Sequence, residues 1–176
     1  MSTNPSASNG LPMVKGRSAG QEGKFLTFSL ANEEYGISIL KVREIIGMMP
    51  IRTVPQTPSF VKGVINLRGK VIPVVDLRLK FGMEELDYTE RTSIIVVDVK
   101  GPNETFIRIG IVVDFVSEVV NIKGDEVEDT PTFGSQLNTE YILGMAKIGK
   151  GVKILLDIDR ILAVEDLGGM GMDLGF

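Results

Sequence analysis

With 176 residues the chain is long enough for one large or two small domains, and its 43% hydrophobic content supports a real core without disulfide staples. Acidic residues outnumber basic ones by 23 to 19, aromatics are 6% and tryptophan is absent, which argues against nucleic acid as a partner. Cysteine and histidine are both missing, which removes thiolate chemistry, Ser-His-Asp and Cys-His catalysis, and the usual zinc ligand sets.

Residues 1–22 are rich in Ser, Asn, Gly and Pro and read as a disordered tail without the apolar region of a signal peptide. In FLTFSL, Leu26, Phe28 and Leu30 share one face; Tyr35, Ile37 and Ile39 do the same after a turn at Glu33 and Glu34, giving a hairpin. In ILKVREII, Ile39, Val42 and Ile46 fall at i, i+3 and i+7, a spacing that predicts a short helix. FVKGVINLRGKVIPVVDLR, residues 60–78, predicts a second hairpin with Arg68 and Gly69 at its tip. Pro73 has no amide hydrogen, so its strand is expected to lie at an edge or to carry a bulge. Asp76 supplies the acceptor that a helix N-cap needs, opening DLRLKF. TSIIVVDV and FIRIGIVVD read as strands, with Ile107, Ile109, Ile111 and Val113 alternating in the second. ILGMAKIGKGVKILLDI predicts a last hairpin, leading to a helix near DRILAVEDL and a loose tail at 168–176. No apolar run approaches the ~20 residues of a bilayer span, and a cytoplasmic location is expected.

The two halves of the chain resemble each other. YGISILKVREII aligns with IGIVVDFVSEVV, matching Gly36 to Gly110, Ile37 to Ile111, Val42 to Val116 and Glu44 to Glu118. FVKGVINLRGKVIPVVD aligns with YILGMAKIGKGVKILLD, matching Gly63 to Gly144, Val71 to Val152 and Asp76 to Asp157. The alignment shifts by seven residues between these matches, around TPTFGSQ. Two small β lobes of about five strands each, side by side on a shared core, follow from such a repeat. In the aligned tips Gly149 stands opposite Arg68 and Lys147 opposite Asn66. A tight turn wants a residue free to take positive φ, but it does not want an arginine. Arg68 therefore serves something beyond the fold.

No motif carries catalysis. GKGVK at 149–153 lacks the glycine spacing and Ser/Thr of a phosphate-binding loop and reads as a hairpin turn. The acidic cluster Asp125, Glu126, Glu128 and Asp129 lacks the alternating ligands and central glycine of a calcium loop. No pair of carboxylates is singled out for hydrolysis. Catalytic, metal and cofactor sites are accordingly expected to be none. Val42 and Ile45 either join the core or line a groove between the lobes. Glu44 is either a solvated face residue or a functional one.

KGVINLRGKVIPVVDLR resembles the signature of the CheW chemotaxis coupling proteins, and the likeness extends to EEYGISILKVREIIG upstream, GIVVDFVSEVV in the middle and NTEYILG near the end. The resemblance implies a mainly β fold: two five-stranded SH3-like barrels packed around a shared hydrophobic core, with short helices. The CheW-like domain is expected over 23–167, with one lobe at about 23–86, the other at about 87–167, and room for strand exchange between them. It further implies a non-catalytic adaptor that joins chemoreceptors to the histidine kinase CheA, through the kinase's regulatory domain and the receptor's cytoplasmic tip. Membrane association would come only through the receptors, and an adaptor of another motility or chemosensory pathway is the alternative. The positions matching family binding or coupling sites are Val42, Glu44, Gly63, Arg68 and Val119, with a Glu44–Arg68 pair implied. Ile45 joins them at the groove and Asn66 at the hairpin tip.

Overall fold

The computed structural model describes residues 22–129 and 139–163; the expected tails, apart from Glu22, and the TPTFGSQ stretch lie outside the described residues. The chain is mainly β. In order it forms β1 (Gly23–Leu30), β2 (Glu33–Ser38), β3 (Val42–Gly47), β4 (Val61–Leu67), β5 (Lys70–Asp76), the one-turn helix α1 (Leu77–Lys80) and β6 (Ser93–Lys100). Then follow β7 (Phe106–Val113), β8 (Phe115–Ile122), β9 (Val127–Glu128), β10 (Ile142–Ile148), β11 (Gly151–Leu156) and the one-turn helix α2 (Ile158–Ile161).

Two sheets result, one ordered β8-β1-β2-β11-β10-β9 and the other β3-β6-β7-β5-β4. Each sheet takes strands from both halves of the chain. Their registers repeat: Leu26 pairs with Ile37 and Val119, as Ile95 pairs with Ile111 and Ile45. The parallel ladders match as well, Val74 with Gly110 in one sheet and Leu155 with Gly36 in the other. Where the six-stranded sheet has β9 against Met145, the five-stranded sheet has a single bridge from Arg52 to Val64.

Burial divides the interior into three clusters. The largest lies between the sheets and contains Leu26, Phe28, Ile37, Ile95, Val97, Ile109, Ile111 and Leu156. Ile65, Ile72, Val74, Ile94, Val96 and Val112, with Ile46 against them, form a second cluster inside the five-stranded sheet. Because all five strands reach this cluster, that sheet is strongly curled. Phe25, Ile122, Val127, Ala146 and Leu155 form the counterpart in the six-stranded sheet. Strands buried on both faces need apolar residues at consecutive positions, which explains runs such as IIVVDV.

Three local expectations are corrected. Residues 42–47 are strand β3, and only Ile39–Lys41 form a 3-10 turn, with Ser38 Oγ accepting from Leu40 N at 3.2 Å. The cause is a β-bulge: Val42 pairs with Val97 and Glu44 with Val96, leaving Arg43 extra. The extra residue returns Val42 and Ile45 to one face, so a bulged strand mimics the i, i+3 spacing of a helix. The first turn falls at Ala31 and Asn32, with φ of 51° and 70°, and Glu33 already pairs with Leu30. Pro73 lies on an inner strand, opposite Val64 and one residue before the ladder with β7 starts at Val74; the bulge is on β4, between Val61 and Gly63. The missing amide therefore falls just before the first paired residue of the parallel ladder with β7.

The cap expectation holds at Asp76, and its repeat match Asp157 caps the second short helix in the same way. Asp76 accepts from Arg78 N and Leu79 N, and Asp157 accepts from Asp159 N and Arg160 N. Of the terminal helix only Ile158–Ile161 is present among the described residues.

Candidate docking site

The β4–β5 tip is a two-residue turn with φ of 52° at Arg68 and 87° at Gly69, as a type I′ hairpin requires. Asn66 Oδ1 accepts from Gly69 N at 2.8 Å and braces the turn. From this tip the Arg68 guanidinium reaches the carboxylate of Glu44 on β3. Strands β3 and β4 are the two outer strands of their sheet, so this pair spans the seam where the curled sheet meets itself. The arginine side chain is 69% exposed and the glutamate 31%, so the pair contributes only about 0–1 kcal/mol to folding. Its geometry matters more: one carboxylate holds the guanidinium fork in place while further donors face solvent.

Ile45 and Val119 are structural equivalents. Each follows a bulge on an outer strand, each pairs with a residue of the shared core, and they are 45% and 50% exposed. Val42 shares Ile45's face but is half-buried against the shared core. Glu44, Ile45, Asn66 and Arg68 belong to the five-stranded sheet, whereas Val119 belongs to the six-stranded one.

Gly63 is buried. Its φ is +142°, and a Cβ there would sit 1.9 Å from the Arg52 carbonyl oxygen. Arg52 and Val64 exchange two backbone hydrogen bonds of 2.8 Å, so the glycine lets the segment leaving β3 lie flat on β4. It positions the seam and does not present a surface.

Sequence reasoning passed over the neighbouring cleft of about 550 Å³, lined by Met48, Met49, Pro50, Ile51, Thr53, Lys62 and Tyr88. The adjacent methionines were its signal, since flexible thioethers suit adaptable contact surfaces. Tyr88 donates to Asp76 Oδ2 at 2.9 Å, and burial together with that carboxylate pushes its phenol pKa up. Among the described residues no group of three or more Asp or Glu is arranged to hold a metal ion.

An exposed, braced ion pair thus sits at a sheet seam of a mainly β, two-sheet protein, with isolated apolar side chains on its outer strands. Residues 24–166 match the family model described as CheW-like domain, and the chain belongs to that family. It is 43% identical over 154 residues to "Chemotaxis protein CheW" of Klebsiella aerogenes, covering 88% of this chain and 89% of that one. A Bacillus subtilis protein of the same name is 33% identical over 143 residues, covering 81% and 86%. Among solved structures, the scaffolding protein TtCheW from Thermoanaerobacter tengcongensis superposes with a TM-score of 0.71 at 33% identity, covering 83% of this chain and 96% of that one. The protein is thus a non-catalytic member of the chemotaxis scaffold family. No helix among the described residues is long and apolar enough to cross a membrane.

Proposed function

We propose that the protein couples chemoreceptors to the histidine kinase CheA, holding both at once without chemistry of its own. The observation that carries this reading is the Glu44–Arg68 pair at the seam, because it fixes an arginine that neither the turn nor stability demands. Arginine and apolar anchors dominate binding energy at protein interfaces, and Ile45 lies next to Glu44 on β3. Val119 offers the equivalent apolar anchor on the other sheet. Two faces on different lobes suit an adaptor with two partners, the kinase's regulatory domain and the receptor's helical tip. Each face needs roughly 800 Å² to form a standard interface. The chain reaches the membrane through the receptors alone.

The test is a reconstituted assay with purified chain, CheA and a receptor cytoplasmic fragment. Arg68→Ala is expected to keep the melting midpoint and lose receptor-dependent kinase activation. Full activation by this variant would remove Arg68 from the site.

A further inference from the structure

Two ion-paired clasps close the ends of the shared core, and they are equivalents with reversed charge. In the first, Arg78 on α1 grips Asp114 after β7, with Nε to Oδ1 and Nη2 to Oδ2 both 2.8 Å, and Ala31 N donates to the same carboxylate at 2.9 Å. In the second, Lys41 before β3 meets Asp159 on α2 at 2.6 Å, and Lys100 N donates to that carboxylate at 2.9 Å. Arg78 and Asp159 each occupy the second position of the helix behind an aspartate cap. Ala31 follows the first strand of one half and Lys100 ends that of the other, while Asp114 and Lys41 sit at the junctions after β7 and β2. All four ionic side chains are mostly buried, with exposures from 12% to 29%.

Each clasp joins one residue of the first half to one of the second. A first half facing another first half would set Arg78 against Lys41. A second half facing its own kind would set Asp159 against Asp114. Like charges in a partly desolvated contact oppose such pairings, while unlike halves gain two complementary contacts. The hazard is real in this topology. The β1–β2 hairpin completes its sheet only with β8 and β11, and β6–β7 only with β3 and β5, so neither half closes a sheet by itself. Because the halves repeat each other, a half without its partner could instead complete its sheets with its own kind from another chain.

We propose that the two clasps are a pairing code, by which each half of the chain accepts the unlike half and refuses its own kind, disfavouring like-with-like pairing between chains. Two double variants of the full chain test it, read by thermal melting and light scattering. Arg78→Asp alone should lower the melting midpoint by at least about 2–4 °C. Adding Asp114→Arg keeps the code in inverted form and should recover at least half of that loss at unchanged mass. Combining Arg78→Asp with Asp159→Arg instead sets like charges in both clasps and makes like halves complementary. That variant should melt lowest and form a species of twice the mass as concentration rises. Absence of recovery in the first pair, or unchanged mass at all concentrations in a soluble second pair, overturns the proposal. If the second pair precipitates, recovery in the first decides.

Discussion

Arg68 and Gly149 occupy the same place in two equivalent hairpins, and both are left-handed, with φ of 52° and 60°. Glycine takes this conformation freely, whereas a side chain there costs about 1–2 kcal/mol. The second hairpin uses the residue the backbone prefers. The first keeps an arginine, and its exposed ion pair with Glu44 returns at most about 1 kcal/mol.

Arg68→Gly should therefore leave stability unchanged or raise it by up to about 1 kcal/mol while abolishing receptor-dependent kinase activation. Urea unfolding and the reconstituted kinase assay check the two halves of this statement. A variant that is both less stable and fully active would reverse it.

Gly63→Ala should destabilise by at least about 2 kcal/mol, because the added methyl meets the Arg52 carbonyl and the φ of +142° is hostile to any side chain. Gly63→Asp should be worse still. Denaturant midpoints measure both, and weakened partner binding should track the loss of structure around Arg52, seen as faster amide exchange at Arg52 and Val64.

Ile45→Asp and Val119→Asp are the opposite case. Both side chains are about half exposed, so thermal midpoints should shift by little, about 0.5 kcal/mol or less in free energy. Affinity for a partner should fall at least tenfold in one or both, as measured by calorimetry against CheA and against a receptor fragment. Unequal losses would assign each sheet to its partner.

Acid should loosen the protein through two carboxylates. Burial alone would raise Glu34, but hydrogen bonds from Ser29, Lys153 and Ser117 outweigh it and hold its pKa below the ordinary 4.5. Asp114 is likewise opposed by burial, yet Arg78 and the Ala31 amide hold it below 3.8. Both folded values lie beneath the unfolded ones, so their stabilisation is full above those ordinary values and is lost as pH falls through the folded values. Melting followed from pH 6 to about pH 2 should show a decline that is shallower in Asp114→Asn.

Local chemistry made the hairpins and caps readable: Arg68-Gly69, Gly149 and the aspartates at 76 and 157 each announce a turn or helix start within a few residues. The internal repeat was readable because equivalent glycines recur with equivalent apolar neighbours. The bulge at Arg43 was not, since an extra residue in a strand imitates helical periodicity. Nor was the pairing of Arg78 with Asp114, because no sequence pattern says which strands from distant segments become neighbours. The Glu44–Arg68 pair was legible only through family likeness; it depends on how far the sheet curls. Gly63 stood out as a matched glycine, but its close approach to Arg52 required the fold.

The most direct test of the central claim is a capture experiment with three purified proteins. An immobilised receptor cytoplasmic fragment is loaded with CheA in the presence or absence of this chain, and the retained kinase is quantified. Coupling predicts that retention rises with added chain, saturates, and returns to background with Arg68→Ala at equal folded concentration. Retention of CheA at background level with saturating unsubstituted chain would contradict it.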